Sequence, residues 1–185
     1  MLKAAITGNI ASGKSQVEKI ISEKYPVYDA DKIAHKILEN LKDFYGYDVF
    51  TDGKIDRKKL GELVFSNPDL KKKLEEIIHP QVKQEILKIF EQDLPVVFIS
   101  IPLLFETGFD RLFDKIIFVS ADSKLRLERL MKRNNFTKEE ALRRIQSQGA
   151  EEEKIQKSDF VICNNSTLTD LKTQTDLALA KIINA

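Results

Sequence analysis

With 185 residues and 42% hydrophobic side chains, the chain can bury one sizeable core, with room for a small inserted subdomain. Thirty Lys and Arg against twenty-nine Asp and Glu leave a net charge of +1, which excludes the strongly basic balance of a duplex-binding protein but not a local basic cleft for a small anion. The one cysteine, Cys163, excludes an internal disulfide, and two histidines far apart in sequence leave no tetrahedral zinc pattern. The N-terminus has no leader-like basic and apolar pattern, and no apolar run approaches about 18 residues. A soluble cytoplasmic protein is expected, with neither membrane nor nucleic acid as a partner.

In chain order, short runs rich in Val and Ile alternate with segments of helical period, the signature of βαβ units and a mostly parallel sheet. Strands are expected at 2–7, 26–29, 96–101, 115–120 and 159–163, and helices at 14–24, 30–40, 122–134, 137–147 and 167–183. The first strand runs into GNIASGKS, which matches G-x-x-x-x-G-K-[ST] at Gly8, Gly13, Lys14 and Ser15, with a strand before it and a helix after it. In such a loop backbone N–H groups turn inward around a β-phosphate, the helix N-terminus adds its dipole, Lys14 reaches the β and γ oxygens, and Ser15 can ligate Mg²⁺. The plain alternative is a Gly-containing strand-to-helix turn. The chain has only seven glycines, however, and two of them fall here.

The second strand leads into VYDADKIAH, residues 27–35. Ligands of open α/β sheets sit beyond the carboxyl ends of the strands, so Asp29 and Asp31 are expected near a transferred phosphate. A carboxylate there can accept the proton of an attacking hydroxyl and order the water shell of Mg²⁺. Helix capping alone would also account for an aspartate at this point. Over residues 38–92 the alternation stops. An aromatic-rich loop, DFYGYDVFTDGK, is followed by apolar residues at helical spacing (Leu60, Leu63, Val64, Leu70, Leu74, Ile77, Ile78), which reads as a helical insertion without strands. His79-Pro80 is expected to end or kink a helix, because the residue before proline is pushed out of the α region.

The central strand, VVFISI, carries no acid, so the strand-borne carboxylate that holds Mg²⁺ in common ATPases is missing. The metal is expected to rely on Ser15, the phosphates, water and Asp31. In residues 123–148, Arg126, Arg129 and Arg133 share one helix face, and Thr137 with Glu140 forms a capping box for a second helix presenting Arg144 and Gln148. Guanidinium groups on such a hinged pair could fold over a triphosphate, excluding water and neutralising charge that develops during transfer. A solvated helix with intrahelical pairs to Glu128 and Glu140 is the bland alternative. No N-K-x-D segment and no D-x-x-G after an apolar strand are present, which argues against a regulatory GTPase.

TGNIASGKS, DADKIAH, GKIDRKKLGELVFSNP, HPQV, PLLFETG, RLERLMKR and RRIQSQ with DFVICNN, in this order and spacing, resemble the dephospho-coenzyme A kinase family over nearly the whole chain. The resemblance implies an α/β fold: a P-loop NTPase three-layer architecture with a parallel five-stranded sheet, nucleoside-monophosphate-kinase-like. It further implies one kinase domain over 1–185, with a helical acceptor-binding insertion at 38–92 and a lid at 123–150. The implied reaction moves the γ-phosphoryl group of ATP, with Mg²⁺, to the ribose 3′-hydroxyl of dephospho-coenzyme A.

Carried over by residue, the nucleotide loop is Gly8, Asn9, Ile10, Ala11, Ser12, Gly13, Lys14 and Ser15, followed by Gln16. The catalytic aspartate is Asp31, the lid arginines are Arg129 and Arg133 with Arg144 on the nucleotide, and Ser15 is the metal ligand. His35, Arg57, His79, Phe105 and Glu106, with aromatics such as Phe44, would face the acceptor. Pro102 shapes the turn after the central strand.

The chain departs from the family pattern at Gln16, where a threonine often stands. The stretch from Leu38 to Phe44 is shorter than usual. Cys163 occupies a position that is frequently acidic, and is expected to be a small buried strand residue. Two other classes stay open at this point: a P-loop kinase of a nucleoside or nucleoside monophosphate, and a nucleotide-binding module without transfer activity.

Overall fold

The uninterrupted run LKAAITG forms β1 (Leu2–Gly8), in which Ala4, Ala5 and Ile6 are fully buried. A strand buried on both faces belongs inside a parallel sheet, and β1 is the middle strand of one. The computed structural model describes residues 1–40, 49–51, 54–56, 59–61, 63 and 67–184. They fall into two compact units, Met1–Tyr28 with Asp93–Ala185, and Asp29–Gln92.

β2 (Val27–Asp29), β5 (Val96–Ser100), β1, β6 (Lys115–Ser120) and β7 (Phe160–Cys163) form a five-stranded sheet in the order β2-β5-β1-β6-β7. The pairs of β1 with β5 and β6, and of β6 with β7, are parallel, with Ala4 opposite Phe98, Thr7 opposite Phe118, and Val119 opposite Ile162. One set of alternate residues, including Ala4, Ile6, Phe98, Ile117, Val119 and Ile162, packs with Val17 and Ile21 of α1 (Lys14–Ser22) and with Leu171, Leu179 and Ile182 of α7 (Leu168–Ile183). The other set, Ala5, Val97, Ile99, Ile116 and Phe118, is buried as well. Each such Ile, Leu or Phe contributes about 1.5–3 kcal/mol by leaving water. The chain between β6 and β7 forms α4 (Ser123–Asn134), α5 (Lys138–Gln146) and α6 (Glu151–Gln156). The capping box expected at Thr137 and Glu140 is present at the start of α5.

The second unit contains α2 (Ala30–Glu39), a two-stranded antiparallel sheet of β3 (Phe50–Thr51) and β4 (Lys54–Ile55), and α3 (Pro68–Phe90). Val49, Leu60 and Leu74 form its core, joined by Leu38, Ile55, Leu63 and Ile78. Asn67 caps α3 by accepting the Leu70 N–H at 3.0 Å, and Pro68 stands where a missing N–H costs nothing.

Three expectations are corrected or narrowed. The insertion does contain strands: β3 and β4 pair antiparallel, Phe50 with Ile55 and Thr51 with Lys54, and the Asp-Gly of the intervening sequence is a hairpin signal outweighed by the helical spacing on either side. Of the two outcomes expected at His79-Pro80, an end or a kink, the end is excluded, because α3 continues to Phe90. Buried residues on both sides of the proline, Leu74 before it and Val82, Ile86 and Ile89 after it, hold the two halves in place, which outweighs one lost backbone hydrogen bond. Cys163 is exposed rather than buried. It lies on the last strand in the sheet order, where Ile162 points inward and Val161 and Cys163 point out. The Cys163 N–H donates to Gln174 Oε1, and its carbonyl accepts from Gln174 Nε2, both at 2.9 Å.

Candidate active site

The loop from Gly8 to Ser15 leaves β1 and enters α1 within a space that fixes its residue types. A Cβ on Gly8 would stand 2.5 Å from the Val119 carbonyl, and one on Gly13 would stand 1.9 Å from Asn164 Nδ2. Gly13 also has φ of 95°, a left-handed conformation that disfavours any side chain. Ala11 adopts φ of 62°, also left-handed, which for an L-residue costs about 1–2 kcal/mol. The loop closes on itself through Ser12 N–H to the Asn9 carbonyl at 3.1 Å. Asn164, just past β7, supports it from behind by donating Nδ2 to the Ser12 carbonyl at 2.8 Å.

The Asn9 side-chain amide and both backbone polar groups of Ile10 are occupied by the segment between β6 and β7. Asn9 Nδ2 donates to Glu151 Oε2 at 3.0 Å, and Asn9 Oδ1 accepts from Lys154 Nζ at 3.1 Å. The Ile10 N–H donates to Gln148 Oε1 at 2.6 Å, and its carbonyl accepts from Arg126 Nε at 3.0 Å. Arg126 pairs with Glu151 at 2.6 Å, Ser120 Oγ donates to the same carboxylate at 2.5 Å, and Lys154 pairs with Glu106 at 2.5 Å. Two cations and two carboxylates thus cancel in a network whose cations are buried while the Glu106 end reaches solvent, and pairing is the condition for burying charge at acceptable cost. Burial draws the Arg126 pKa below its ordinary value, and the Glu151 carboxylate opposes that shift.

Lys14 and the sheet meet on the other side of the loop. Lys14 Nζ donates to Glu18 Oε1 and to Ser100 Oγ, each at 2.5 Å, and Ser100 Oγ donates to Glu18 Oε1 at 2.5 Å. Ser100 ends β5 opposite Ile6 of β1 and is fully buried. Among the described residues, three buried donor atoms have no hydrogen-bond partner: Ser12 Oγ, Arg126 Nη2 and Arg129 Nη1.

The arginines expected to act together divide by environment. Arg126 is a buried strut of the loop, and Arg129 Nη2 donates to the Asn164 carbonyl at 2.9 Å, so both are held against the nucleotide loop or its support. Arg133 is exposed and donates Nε to its neighbour Asn134. Arg144 lies 4.5 Å over the Phe136 ring. Glu106 carries the Lys154 pair, Lys157 Nζ lies 6.0 Å over Phe105, and the Pro102 carbonyl accepts from Thr7 Oγ1 at 3.4 Å.

In the second unit, the Asp29 carboxylate caps α2 by accepting the Asp31 and Lys32 N–H groups at 2.9 and 3.4 Å. Capping therefore explains Asp29, and leaves the Asp31 side chain out of that role. His35 Nδ1 lies 2.7 Å from the Asp31 carbonyl; a carbonyl only accepts, so Nδ1 carries the proton. His79 is half-buried inside α3. Arg57 and Phe44 lie outside the described residues.

Sequence reasoning missed Glu18, Ser100, Glu151, Lys154 and Asn164. Glu18 follows Lys14 by one helical turn, a spacing that signals an ion pair. Glu151 and Lys154 sit in EEEKIQK, which reads as a solvated, charged helix start, so nothing local marks either as a partner of the loop.

The dephospho-CoA kinase family model matches residues 2–170. A dephospho-CoA kinase of Listeria innocua is 42% identical over 97% of this chain and 96% of its own length, and one from Oceanobacillus iheyensis is 40% identical over 97% of each. Among solved structures, the dephospho-CoA kinase of Campylobacter jejuni superposes with a TM-score of 0.73 at 35% identity, covering 98% of this chain and 97% of that one. A Thermus thermophilus protein gives 0.82 at 36% identity over 97% of each. The shikimate kinase of Bacteroides thetaiotaomicron, 13% identical with a TM-score of 0.62 over 100% of this chain and 99% of its own, shares the fold. With a family model matching from the first strand into the last helix, and relatives of 40% identity or more over nearly the whole chain, this protein is a member of the dephospho-CoA kinase family of phosphotransferases.

Proposed function

We propose that the protein transfers the γ-phosphoryl group of ATP to the 3′-hydroxyl of the ribose of dephospho-coenzyme A, giving coenzyme A and ADP, the last step of coenzyme A synthesis. The observation that carries this reading is the family match across residues 2–170, together with a Gly8–Ser15 loop whose conformation is held from behind by Asn164 and from the side by Arg126 and Glu151. Ser12 Oγ and Arg129 Nη1, buried donors without a protein acceptor, fit an anionic ligand at that loop.

In this reading the acceptor 3′-oxygen attacks the γ-phosphorus as the bond from that phosphorus to the β–γ bridging oxygen breaks. Asp31 accepts the hydroxyl proton, and the loop amides with Lys14 take up charge on the phosphate oxygens. Arg129 and Arg133 neutralise charge that spreads over the transferred group, and Arg144 contacts the nucleotide. His35, Arg57, His79, Phe105 and Glu106 serve the acceptor. Mg²⁺ is an ion held through phosphates, waters and a few hard oxygens. Ser15 Oγ is such an oxygen; when bound, Mg²⁺ offsets charge on the β and γ phosphates. The place of work is the cytoplasm.

ADP release from purified protein with Mg²⁺ and ATP is the test, comparing dephospho-coenzyme A with adenosine, nucleoside monophosphates and no acceptor, and identifying the product by mass. Release driven by dephospho-coenzyme A and yielding coenzyme A is expected; release driven by another acceptor would overturn the substrate assignment. Asp31→Asn is expected to lower kcat by about 10²–10⁴-fold, the range of a general base, while ATP affinity stays within about threefold. Near-normal turnover would remove Asp31 from the role.

A further inference from the structure

In P-loop enzymes, Mg²⁺ is shared between the hydroxyl of the loop Ser or Thr and a carboxylate carried by a neighbouring strand. Here that strand is β5, which pairs directly with β1, and none of its five residues is acidic. The residue at its carboxyl end is Ser100, fully buried and opposite Ile6. A carboxylate does reach this point, but from a different element. Glu18, one turn along α1 from Lys14, puts Oε1 2.5 Å from Ser100 Oγ and 2.5 Å from Lys14 Nζ, closing a triangle of three short contacts. The side chains of Lys14 and Glu18 are 15% and 17% exposed, so this is a mostly buried pair and not a surface one.

We propose that Glu18 is a second carboxylate of the phosphoryl-transfer site beside Asp31, supplying from helix α1 the metal-side acid that β5 lacks. It stands beside the loop lysine, one turn along the helix from Ser15, and accepts a hydrogen bond from the Ser100 hydroxyl. Its work is that of a positioning residue: it accepts hydrogen bonds from water in the Mg²⁺ shell and aims Lys14 at the β and γ oxygens. An isolated strand acid is fixed by the sheet, whereas a helix acid needs a partner to fix it, and buried Ser100 is that partner. Helix α1 thus carries three of the polar groups that a triphosphate with its metal requires: Lys14, Ser15 and Glu18.

The inference rests on the reading that Mg²⁺ and ATP form the donor, and its test separates the two. Calorimetric ATP affinity with Mg²⁺ and with EDTA, without acceptor, gives a ratio that isolates the metal's contribution from changes in loop or lysine. In Glu18→Gln the ratio is expected to fall about tenfold or more, the scale of a lost partner around a metal, and the Mg²⁺ concentration giving half-maximal turnover to rise in step. Moving the carboxylate from helix to strand in Glu18→Ala/Ser100→Asp is expected to restore the ratio to within about threefold of the wild type.

A Glu18→Gln ratio equal to the wild-type value would overturn the proposal. So would a folded double variant no better than Glu18→Ala alone. Where the double variant shows no cooperative melting, the Glu18→Gln ratio decides by itself. A wild type whose ATP affinity ignores Mg²⁺ would overturn the functional reading and this proposal with it, an outcome distinct from one in which the wild type responds and Glu18→Gln matches it.

Discussion

Gly13 meets two independent demands, a φ of 95° and a van der Waals envelope with Asn164 Nδ2 at 1.9 Å from any added Cβ. Either alone would tax an alanine, and together they force Asn164 off the Ser12 carbonyl. Gly13→Ala is therefore expected to weaken ATP binding more than tenfold and to lower unfolding stability by about 1–3 kcal/mol, the cost of strained backbone. Calorimetric binding and urea titration would check both. Glu151 accepts from Asn9, Ser120 and Arg126, and Arg126 is only 4% exposed. Removing the carboxylate leaves an uncompensated buried cation, so Glu151→Ala is expected to cost about 3–5 kcal/mol in urea unfolding, far above a surface substitution. A loss under about 1 kcal/mol would mean that solvent reaches Arg126 readily. The loop motif and the aspartates after β2 were legible as local patterns, because their chemistry is written in adjacent residues. Glu151, Lys154 and Asn164 were not, since each acts across more than a hundred residues of sequence on the loop near the N-terminus.

At the scale of elements, α5 is a short helix whose start depends on a reciprocal cap: Glu140 N–H donates to Thr137 Oγ1 at 3.3 Å, and Thr137 N–H donates to Glu140 Oε2 at 2.8 Å. The Thr137 backbone bond, first among the causes, lowers the Glu140 pKa below its ordinary value. A carboxyl whose folded pKa is depressed adds stability that is fully present above its unfolded value, near the usual carboxylate range, and is lost as pH falls through the folded value. Asp170, in the cap of α7, is lowered in the same direction by Ser166 and Thr167. Thr137→Ala is expected to lower the melting temperature at neutral pH by a few degrees, and Glu140→Gln, which removes the titrating carboxyl, to make the decline in acid shallower, as calorimetry at stepped pH would show. This cap was readable from T-x-x-E alone. Helix α6 was not, because six residues headed by three glutamates have no apolar period to announce them. In α3 the strong local rule for proline lost to burial on both sides of it, which no single-residue rule contains.

At the scale of the molecule, the parallel sheet was legible because its five strands are separated by segments long enough to cross over, and because runs such as VVFIS and KIIFVS are apolar without a break. What the alternation could not show was how the 29–92 unit builds its own core from Val49, Leu60 and Leu74. A ligand that binds only the folded protein stabilises it by mass action: ATP at a hundred times its Kd is expected to add about 2.7 kcal/mol and to raise the melting temperature, and Lys14→Ala to abolish most of that gain. A melting scan with and without nucleotide would read it, and an unchanged Lys14→Ala response would remove the lysine from phosphate binding.

The paired bonds between the Gln174 side-chain amide and the Cys163 backbone have a meaning for the sheet's outer border. An amide offers a donor and an acceptor at the spacing of a peptide group, so Gln174 imitates one unit of a sixth strand and occupies the polar groups that a neighbouring chain would seek. Border strands left open recruit other chains and seed aggregates. By filling this place with a single side chain from its own terminal helix, the protein blunts that border without an added strand, a bulge or a proline.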